Sequence, residues 1–424
     1  MKRGYEMAEN TATDKQAANP LWTKNFTIIT AGTVVSMLGN AIAGFALGLL
    51  VLDYTGSTFL YALYMVMYNA PKVIAPTLAG PFLDKFSRRK TIYTLDFTSA
   101  ALYGIFAWLI VSGYFNYGFL IMGCLLLGTI DSIYQVAYDS FYPMLISEGN
   151  YTKAYSIQST LESLTVFMVP VSAFLYNMVG IAPLFLINMV SFFIAAVMET
   201  QIKKEETYVK AEEENFGLAQ YKKTFVEGVS YLRQERGLMI ITLYFMVTMF
   251  ASGAFSTVVL PYFKMNFDSG EYIYIFTMGW TMVGRLLGGA VHYKIHYPTQ
   301  KKFAIALTVY ITLSLVEGFL LYLPLGIMMI FCFAEGILGV TSYNIRISAT
   351  QSYVPDERKG RFNGIFQMAT TLGLLAGQFL SGLLTVFVPE RAVVSGFMAL
   401  NLIAAVALMG GNRKHVKQIY NRQA

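Results

Sequence analysis

The sequence predicts an all-α membrane protein with about twelve transmembrane helices, arranged as two similar halves of six helices. Three observations lead to this fold class: an apolar composition, a series of apolar runs of helical length, and basic residues confined to alternate loops. Of the 424 residues, 55% are hydrophobic and only 13% are charged, whereas a soluble domain has about 25% charged residues. This small number of charges cannot cover a water-facing surface. Most of the surface must therefore face lipid.

Apolar runs of about twenty residues recur along the chain, and each is long enough to cross the hydrocarbon core as a helix. Strands of a membrane barrel would be about ten residues long and would alternate apolar and polar residues, unlike these continuous runs. The predicted spans are 27–52, 58–82, 92–112, 118–142, 154–178, 181–200, 237–262, 271–292, 303–323, 325–349, 362–388 and 391–411.

The lysines and arginines lie on one side of this predicted arrangement. With the N-terminus inside, 26 of the 31 fall in the tails and in the cytoplasmic loops, while the opposite loops hold Lys264 and Arg391. This positive-inside pattern predicts a multi-pass protein of the cell membrane with both termini in the cytoplasm. The net charge of +6 then reflects topology and contact with anionic lipid, and no nucleic-acid partner is expected.

The two halves are joined by the longest polar stretch of the chain. A shift of about 208 residues brings the basic loop at 85–90 close to 294–302, and six spans per half give both copies the same orientation. We therefore predict a cytoplasmic N-terminal tail (1–26), a six-helix bundle (27–200), a cytoplasmic linker (201–236), a second six-helix bundle (237–411) and a cytoplasmic C-terminal tail (412–424).

Neither a nucleotide-driven pump nor an enzyme fits this sequence. It contains no G-x-x-x-x-G-K-[ST] phosphate loop and no visible nucleophile–base set. The three histidines have no ligand spacing, and Cys124 and Cys332 both lie in apolar runs, so we expect no cofactor, no metal site and no disulfide framework. The remaining energy sources are gradients, and the membrane potential is worth about 2.3 kcal/mol per charge per 100 mV.

The loop after the second predicted span carries a distinctive charge pattern. Residues 80–90 read GPFLDKFSRRK. In sequence, length and position, this loop resembles the signature loop of the major facilitator superfamily, in which a glycine usually stands where this chain has Ser87. Asp96 is similar to the acidic residue that follows the loop in that family. The resemblance covers essentially the whole chain and implies the twelve-helix fold of the superfamily.

Within the superfamily, the chain resembles the macrolide-efflux branch of drug/proton antiporters. The stretches that carry this likeness are YPMLISEGNYTKA at 142–154 and VPDERKGRFNG at 354–364. The antiporter motif of the fifth span is reduced to Val169-Pro170 followed by Ser172 and Ala173. The resemblance implies alternating access with proton-coupled export of amphipathic compounds.

The resemblance also implies a conformational latch at the cytoplasmic side. Asp84 is expected to cap the N-terminus of a helix from the other half near 361–364, because backbone N–H groups and the helix dipole favour an anion there. The basic residues can pair with Asp96, Asp139 or Glu148 on the cytoplasmic side, or they can serve topology alone. The predicted latch residues are Gly80, Asp84, Arg88, Arg89, Lys90 and Asp96.

Ionisable residues inside the first six spans are candidates for proton coupling or substrate binding, since a mid-bilayer charge costs about 2.5–3.5 kcal/mol on insertion scales. Asp131 lies near the centre of span four, and Gln135 and Tyr138 follow it on one face. Glu162 lies at similar depth in span five. A low-dielectric site favours the neutral form of a carboxyl group, which suits reversible protonation. The alternative for Asp131 is a structural pair with Lys72.

The second half offers a similar set of residues. Glu335 and Arg346 share one face of span ten with Gly339 and Ser342, and Arg285 lies in span eight. Glu335 could bind substrate, or it could form a buried ion pair with Arg285 that only fixes packing.

Two further residue patterns in the second half are read as packing features. Glu317, in span nine, is interpreted as a lipid-facing or packing residue. Small residues at Gly373, Gly377 and Ser381 predict close helix contact along span eleven.

The leading hypothesis is a secondary transporter that works by alternating access, with proton-coupled efflux of amphipathic drugs or metabolites. The alternatives are an uptake carrier, an exporter of a native metabolite, siderophore or lipid, and a non-transporting membrane sensor. The expected partners are a small-molecule substrate, protons or another coupling ion, and membrane lipid. We expect a monomer.

Overall fold

A computed structural model describes residues 20–73, 75, 86–147, 150, 153–154, 157–158, 161, 164–165, 167–206, 226, 229–294 and 297–422. Regular structure in these residues is helical, without strands. The helices are α1 Lys24–Thr55, α2 Thr58–Asn69, α3 Arg88–Val111, α4 Tyr117–Leu145, α5 Met168–Val179, α6 Ile181–Thr200, α7 Arg236–Asn266, α8 Gly270–Lys294, α9 Lys302–Phe319, α10 Leu325–Tyr353, α11 Asp356–Leu384, α12 Glu390–Ala404 and α13 Arg413–Tyr420. Short 3₁₀ turns flank α9, and a π-helical turn, Ala405–Gly410, extends α12.

Eight helical segments among the described residues are long and apolar enough to cross a membrane. They are α1, α3, α4, α6, α7, α9 with its flanking turns, α10, and α12 with its π-helical turn. The other four predicted spans coincide with α2, α5, α8 and α11, which are shorter or more polar over the described residues. The predicted class, an all-α membrane protein, is confirmed.

Side-chain caps fix the starts of several of these helices. The Thr23 hydroxyl accepts a hydrogen bond from the Phe26 N–H, and the Ser87 hydroxyl accepts one from the Lys90 N–H. Ser87 has a φ of −64°, so the position does not need the conformational freedom of glycine. The serine that replaces the usual glycine of the signature loop therefore starts α3 without backbone strain.

The segment after α6 ties three helix ends together. The Asn25 side chain of α1 donates to the Lys203 carbonyl at 2.8 Å and accepts from the Lys203 N–H at 3.1 Å. Arg89 of α3 donates to the Ile202 carbonyl. One short stretch of chain thus holds the beginnings of α1 and α3 against the end of α6.

Small residues allow α11 to pack closely against α7. A Cβ atom at Gly377 would lie 1.9 Å from the Phe250 carbonyl oxygen, and one at Gly373 would lie 2.3 Å from the Met246 carbonyl oxygen. Ser381, the next small residue of this row, is fully buried. The close contact predicted from the small-residue spacing of span eleven is confirmed.

Substituting Gly377 tests this contact. We expect Gly377→Ala to lower the thermal unfolding temperature of the purified protein in detergent, because overpacking of a close helix contact costs about 1–3 kcal/mol. Gly396→Ala on α12 is the matched control, since a Cβ there meets no atom within 4 Å. Equal unfolding temperatures for the two variants would contradict the packing described here.

Candidate functional site

A cavity of about 340 Å³ lies among α1, α3 and α4, with further walls from α2 and α6. Its acidic residues are Asp96 and Asp131, and we call it the acidic cavity. Asp131, Gln135, Tyr138 and Tyr142, spaced along one face of α4, all line it. The rings of Tyr134 and Tyr138 stack at 5.9 Å, and those of Tyr138 and Tyr142 at 5.2 Å. The cavity therefore combines negative charge with a column of aromatic faces.

Asp131 is paired with a lysine but is not sealed off. Its Oδ2 lies 3.3 Å from Lys72 Nζ, and both side chains are 38% exposed. Lys72 Nζ also lies 4.9 Å from the centre of the Tyr68 ring. Partly exposed ion pairs contribute little to stability, typically about 0–1 kcal/mol. The Lys72 pair predicted as the structural alternative is present, and it leaves the carboxylate open to the cavity.

Three predicted site residues lie outside the described residues. They are Gly80 and Asp84 of the signature loop and Glu162 of the fifth predicted span. The neighbouring residues Gln158 and Leu161 of the fifth span line the acidic cavity.

The described residues of the signature loop bind to the chain that follows α6. Glu206 accepts hydrogen bonds from the Ser87 hydroxyl and the Arg88 N–H, both at 2.8 Å, and from the Arg89 N–H at 3.2 Å. An anion at a helix N-terminus is favoured by the exposed N–H groups and the dipole. The Arg88 guanidinium donates to the Ser140 carbonyl of α4 at 3.2 Å. Sequence reasoning missed Glu206, because it stands in a charged linker with no pattern of its own.

Asp96 lies deeper than the arginines of the loop. It is 1% exposed and faces Glu199 of α6, which is fully buried. Sequence reasoning did not single out Glu199, which falls near the end of the predicted sixth span. One signal could have identified it: an acidic residue in the last turn of a helix is disfavoured by the helix dipole and therefore needs a special environment.

A second cavity, of about 540 Å³, lies among α7, α9, α10 and α11. We call it the aromatic cavity. Glu335, Gly339, Ser342 and Arg346 all line it from one face of α10, as their spacing predicts. Glu317 of α9 also lines this cavity, so the lipid-facing alternative for this residue is wrong.

Arg346 is held in the aromatic cavity by rings. Its guanidinium carbon lies 4.8 Å from the centre of Phe366, 5.1 Å from Phe245 and 5.4 Å from Tyr343. Such cation–π contacts stabilise a desolvated guanidinium without neutralising it. Among the described side chains, no acid lies within ion-pair distance of this arginine.

Arg285 also lines the aromatic cavity, on α8. It is close enough to attract both Glu317 and Glu335. In the described residues it forms no ion pair with either acid at the usual distance, so the tight Glu335–Arg285 pair considered from sequence is absent here. The cavity thus holds two acids and two arginines that are not locked together.

A polar network joins helices α1 and α5 to α7 and α8 at the end of the molecule opposite to residues 202–206. Lys264 Nζ of α7 lies 3.2 Å from Asp53 Oδ1 of α1 and 3.3 Å from Glu271 Oε2 of α8. Asn177 of α5 donates to Glu271 at 2.9 Å, and Tyr176 donates to Asp53 at 2.6 Å. We call this the Lys264 network. Sequence reasoning recorded Lys264 only as a loop charge, because its partners come from distant segments.

Apolar contacts reinforce the same end. The rings of Phe45 and Tyr274 lie 6.5 Å apart, and a Cβ atom at Gly382 of α11 would lie 2.1 Å from the Ala62 Cβ of α2. The acidic cavity touches α1 at residues 30–40, and the aromatic cavity touches α7 at residues 245–252. Both cavities therefore lie on the far side of these contacts from the Lys264 network.

Comparisons with known proteins agree on one family. The sequence profile of the Major Facilitator Superfamily matches residues 29–340. The MFS-type transporter YkuC of Bacillus subtilis is 25% identical over 381 residues, covering 83% of this chain and 85% of that protein. Macrolide efflux protein A of Streptococcus pyogenes is 24% identical over 381 residues, covering 85% of this chain and 89% of that protein.

Solved structures share the fold. A variant of the nucleoside transporter NupG superposes with a TM-score of 0.69 at 12% identity, covering 91% of this chain and 98% of that one. A bacterial homologue of the iron transporter ferroportin, in an inward-facing state, superposes with a TM-score of 0.65 at 14% identity over the same shares. These likenesses show that the chain shares the all-α fold of these transporters.

Removing the central lysine of the Lys264 network tests whether the network holds this end closed. Lys264→Met leaves Asp53 and Glu271 without their shared cation, and removal of one partner of an ion pair leaves the other uncompensated. We expect Thr257→Cys, introduced at a buried position of α7, to react faster with a water-soluble maleimide in the Lys264→Met background.

The labelling experiment has two built-in controls. The native thiols of Cys124 and Cys332 are both fully buried, so they should give a low background. Lys301→Met removes an exposed lysine from a turn far from the network and should leave the labelling rate unchanged. An unchanged rate in Lys264→Met as well would show that the network does not hold this end closed.

Proposed function

The chain belongs to the major facilitator superfamily and is a multi-pass membrane transporter, not an enzyme; from the chemistry of its cavities we propose that it exports amphipathic organic cations in exchange for protons. The observation that carries this proposal is the acidic cavity. There, Asp131 stands beside the stacked rings of Tyr134, Tyr138 and Tyr142. Aromatic faces and a carboxylate attract a large organic cation together, through cation–π and charge interactions. Its likeness to a macrolide efflux protein supports export.

We further propose that the chain rocks as two six-helix bundles, 27–200 and 237–411, between tails 1–26 and 412–424 and around linker 201–236. Both termini would then lie in the cytoplasm of a cell-membrane protein that works as a monomer. In this orientation the Lys264 network lies at the outer face, and the structure corresponds to an inward-facing state. The signature loop, with Gly80, Asp84, Arg88, Arg89 and Lys90, would act as the latch of the outward-facing state.

The proposed cycle assigns a role to each set of charges. A cation from the cytoplasm or inner leaflet binds between the tyrosines and Asp131, where it competes with Lys72 for the carboxylate. Closure of the cytoplasmic side and separation of Lys264 from Asp53 and Glu271 then expose the site to the outside. Proton binding to cavity carboxyls weakens the attraction for the cation and releases it.

A second candidate function is transport of a metabolite that carries a carboxylate or phosphate group. Arg346 favours it, because the guanidinium is held by three rings in the aromatic cavity and keeps its donors available. Glu317 and Glu335 in the same cavity would then receive protons or a polar part of the substrate. Uptake and export both remain compatible with this candidate.

Transport by the purified protein in liposomes separates the two candidates. We expect a pH gradient to drive accumulation of tetraphenylphosphonium and of erythromycin, and a protonophore to abolish it. Asp131→Asn should weaken uptake of both compounds roughly ten- to a hundredfold, since a hydrogen bond or contact with a charged group is worth about 1.5–3 kcal/mol. Asp268→Asn, in the exposed turn between α7 and α8, is the matched control and should transport normally.

Two results would count against cation export. One is normal transport by Asp131→Asn together with loss of transport in Arg346→Gln, which would favour the anionic metabolite. The other is the absence of any effect of the pH gradient on the wild-type protein. A carboxylate-bearing dye that competes with transport only while Arg346 is present would support the second candidate directly.

A further inference from the structure

Asp96 of α3 and Glu199 of α6 form a buried pair of acids separate from the Asp131–Lys72 pair. Asp96 is 1% exposed and Glu199 is fully buried. Their carboxyl groups lie within hydrogen-bond reach of each other across the contact between α3 and α6. We call them the acid pair. Buried acids in an apolar protein interior are costly and call for a specific explanation.

A direct contact between these two groups requires a proton. Ionised carboxylates have only acceptor atoms and cannot donate to each other. With both groups ionised, neither can donate to the other, and the nearest donor to Glu199 is the Tyr134 hydroxyl. One proton between the two groups lets one carboxyl donate to the other and also removes the repulsion between two buried negative charges.

The helices around the acid pair supply no described cation at its level. From α4, Tyr134 and Tyr138 approach Glu199 with neutral hydroxyl groups. Of α1, the charged residues Lys24 and Asp53 stand at its two ends. On α5, the titratable side chain among the described residues is Tyr176, which binds Asp53 at the far end.

The bases on α3 itself are also distant from the acid pair. Arg88, Arg89 and Lys90 occupy the first turn of α3, and Arg89 lies about 10 Å along the helix from Asp96 at a rise of about 1.5 Å per residue. Arg89 is directed toward the Ile202 carbonyl. A proton is therefore a better partner for the acid pair than any basic side chain among the residues that the structure describes around it.

Asp96 lines the acidic cavity, whereas Glu199 does not. The acid pair therefore has access to the cavity through Asp96. Thr30 of α1 lines the same cavity, is 7% exposed, and has a buried hydroxyl without a hydrogen-bond partner. Thr33, three residues further along the same helix, also lines the cavity and places its hydroxyl near those of Tyr134 and Tyr138. These hydroxyl groups are polar sites through which a proton can pass between the cavity and the acid pair.

We propose that Asp96 and Glu199 hold one exchangeable proton between them, which is taken up from and returned to the acidic cavity. This proton would be the one exchanged for substrate, so the inference rests on the proposed function in that respect. Uptake adds H⁺ to one carboxylate oxygen of the ionised pair, and release returns H⁺ to the cavity with no other bond changed. Asp131 then does not have to carry this proton, and the cationic substrate competes with Lys72 for its carboxylate.

The position of Glu199 links this proton to helix movement. Glu199 packs against α1, where a Cβ atom at Gly32 would lie 3.5 Å from its Oε1 atom. Loss of the proton leaves a second buried negative charge in the contact between α1, α3 and α6. That charge favours a rearrangement that admits water or a donor, so protonation selects between helix arrangements, as alternating access requires.

Infrared difference spectroscopy on the full-length protein in liposomes tests the proton itself. We expect the wild-type protein to show a C=O band of a protonated carboxylic acid that disappears as the pH is raised. Asp96→Asn and Glu199→Gln should each remove the same component of this band, because one proton is shared by both groups, while any component from Glu317 or Glu335 stays. Glu199→Asp keeps a carboxyl group and should retain a titrating band, and Asp268→Asn, in an exposed turn, should leave the band unchanged.

Transport of tetraphenylphosphonium by the same liposomes tests the link to coupling. A gradient of one pH unit can drive about tenfold accumulation per coupled proton, and we expect Asp96→Asn and Glu199→Gln each to lose this accumulation, with rescue in Glu199→Asp. A band that is unchanged in both amide variants, or its absence from the wild type, overturns the proposal. If the wild-type protein shows the band but no proton-driven transport, the proposed function and the coupling role of the acid pair are refuted. The shared proton is then still established by the band and its loss in the two amide variants.

Discussion

A carboxylate in the interior of a membrane protein must find water, a cation or hydrogen-bond donors, because hydrocarbon offers none of them. In the part of the chain that the structure describes, each intramembrane acid meets this constraint differently. Asp131 opens into a cavity beside Lys72, Glu317 and Glu335 line a cavity shared with two arginines, and Asp96 faces Glu199. The acids that line the two cavities therefore have water or cations within reach.

The two ends of the molecule are built on different chemistry. One end is closed by a lysine shared between acids of two helices and by aromatic rings and small residues packed around it. The other end contains both cavities. Lys264 and Asp53 are partly exposed, at 19% and 42%, so water can replace their contact when it separates, whereas close backbone contacts tolerate no intermediate spacing. This combination of contacts suits an end of the molecule that must be firmly closed in one state and must be able to open in another.

Much of this arrangement is predictable from periodicity and composition. The helix positions, the faces of α4 and α10 that carry Asp131 and Glu335, and the close approach at Gly377 all follow from spacing along single helices. Contacts between segments distant in sequence do not. Glu199 looked like a helix-end residue, Glu206 like an ordinary linker charge, and Lys264 like a loop charge, because each acquires its meaning from a partner on another helix. Glu317 was misplaced for the same reason, since one isolated acid does not show which face of its helix is inward.

The hydrogen bonds around residues 202–206 hold the start of the polar linker. Asn25, Arg89 and the backbone at the start of α3 bind this stretch, so the chain is anchored as far as Glu206. A force transmitted along the linker would reach the starts of α1 and α3 together and spare the outer ends of those helices. Extra sequence or a reporter domain inserted well beyond Glu206 would therefore hang from a fixed anchorage, whereas the same insertion between α6 and Glu206 would cut the anchorage itself.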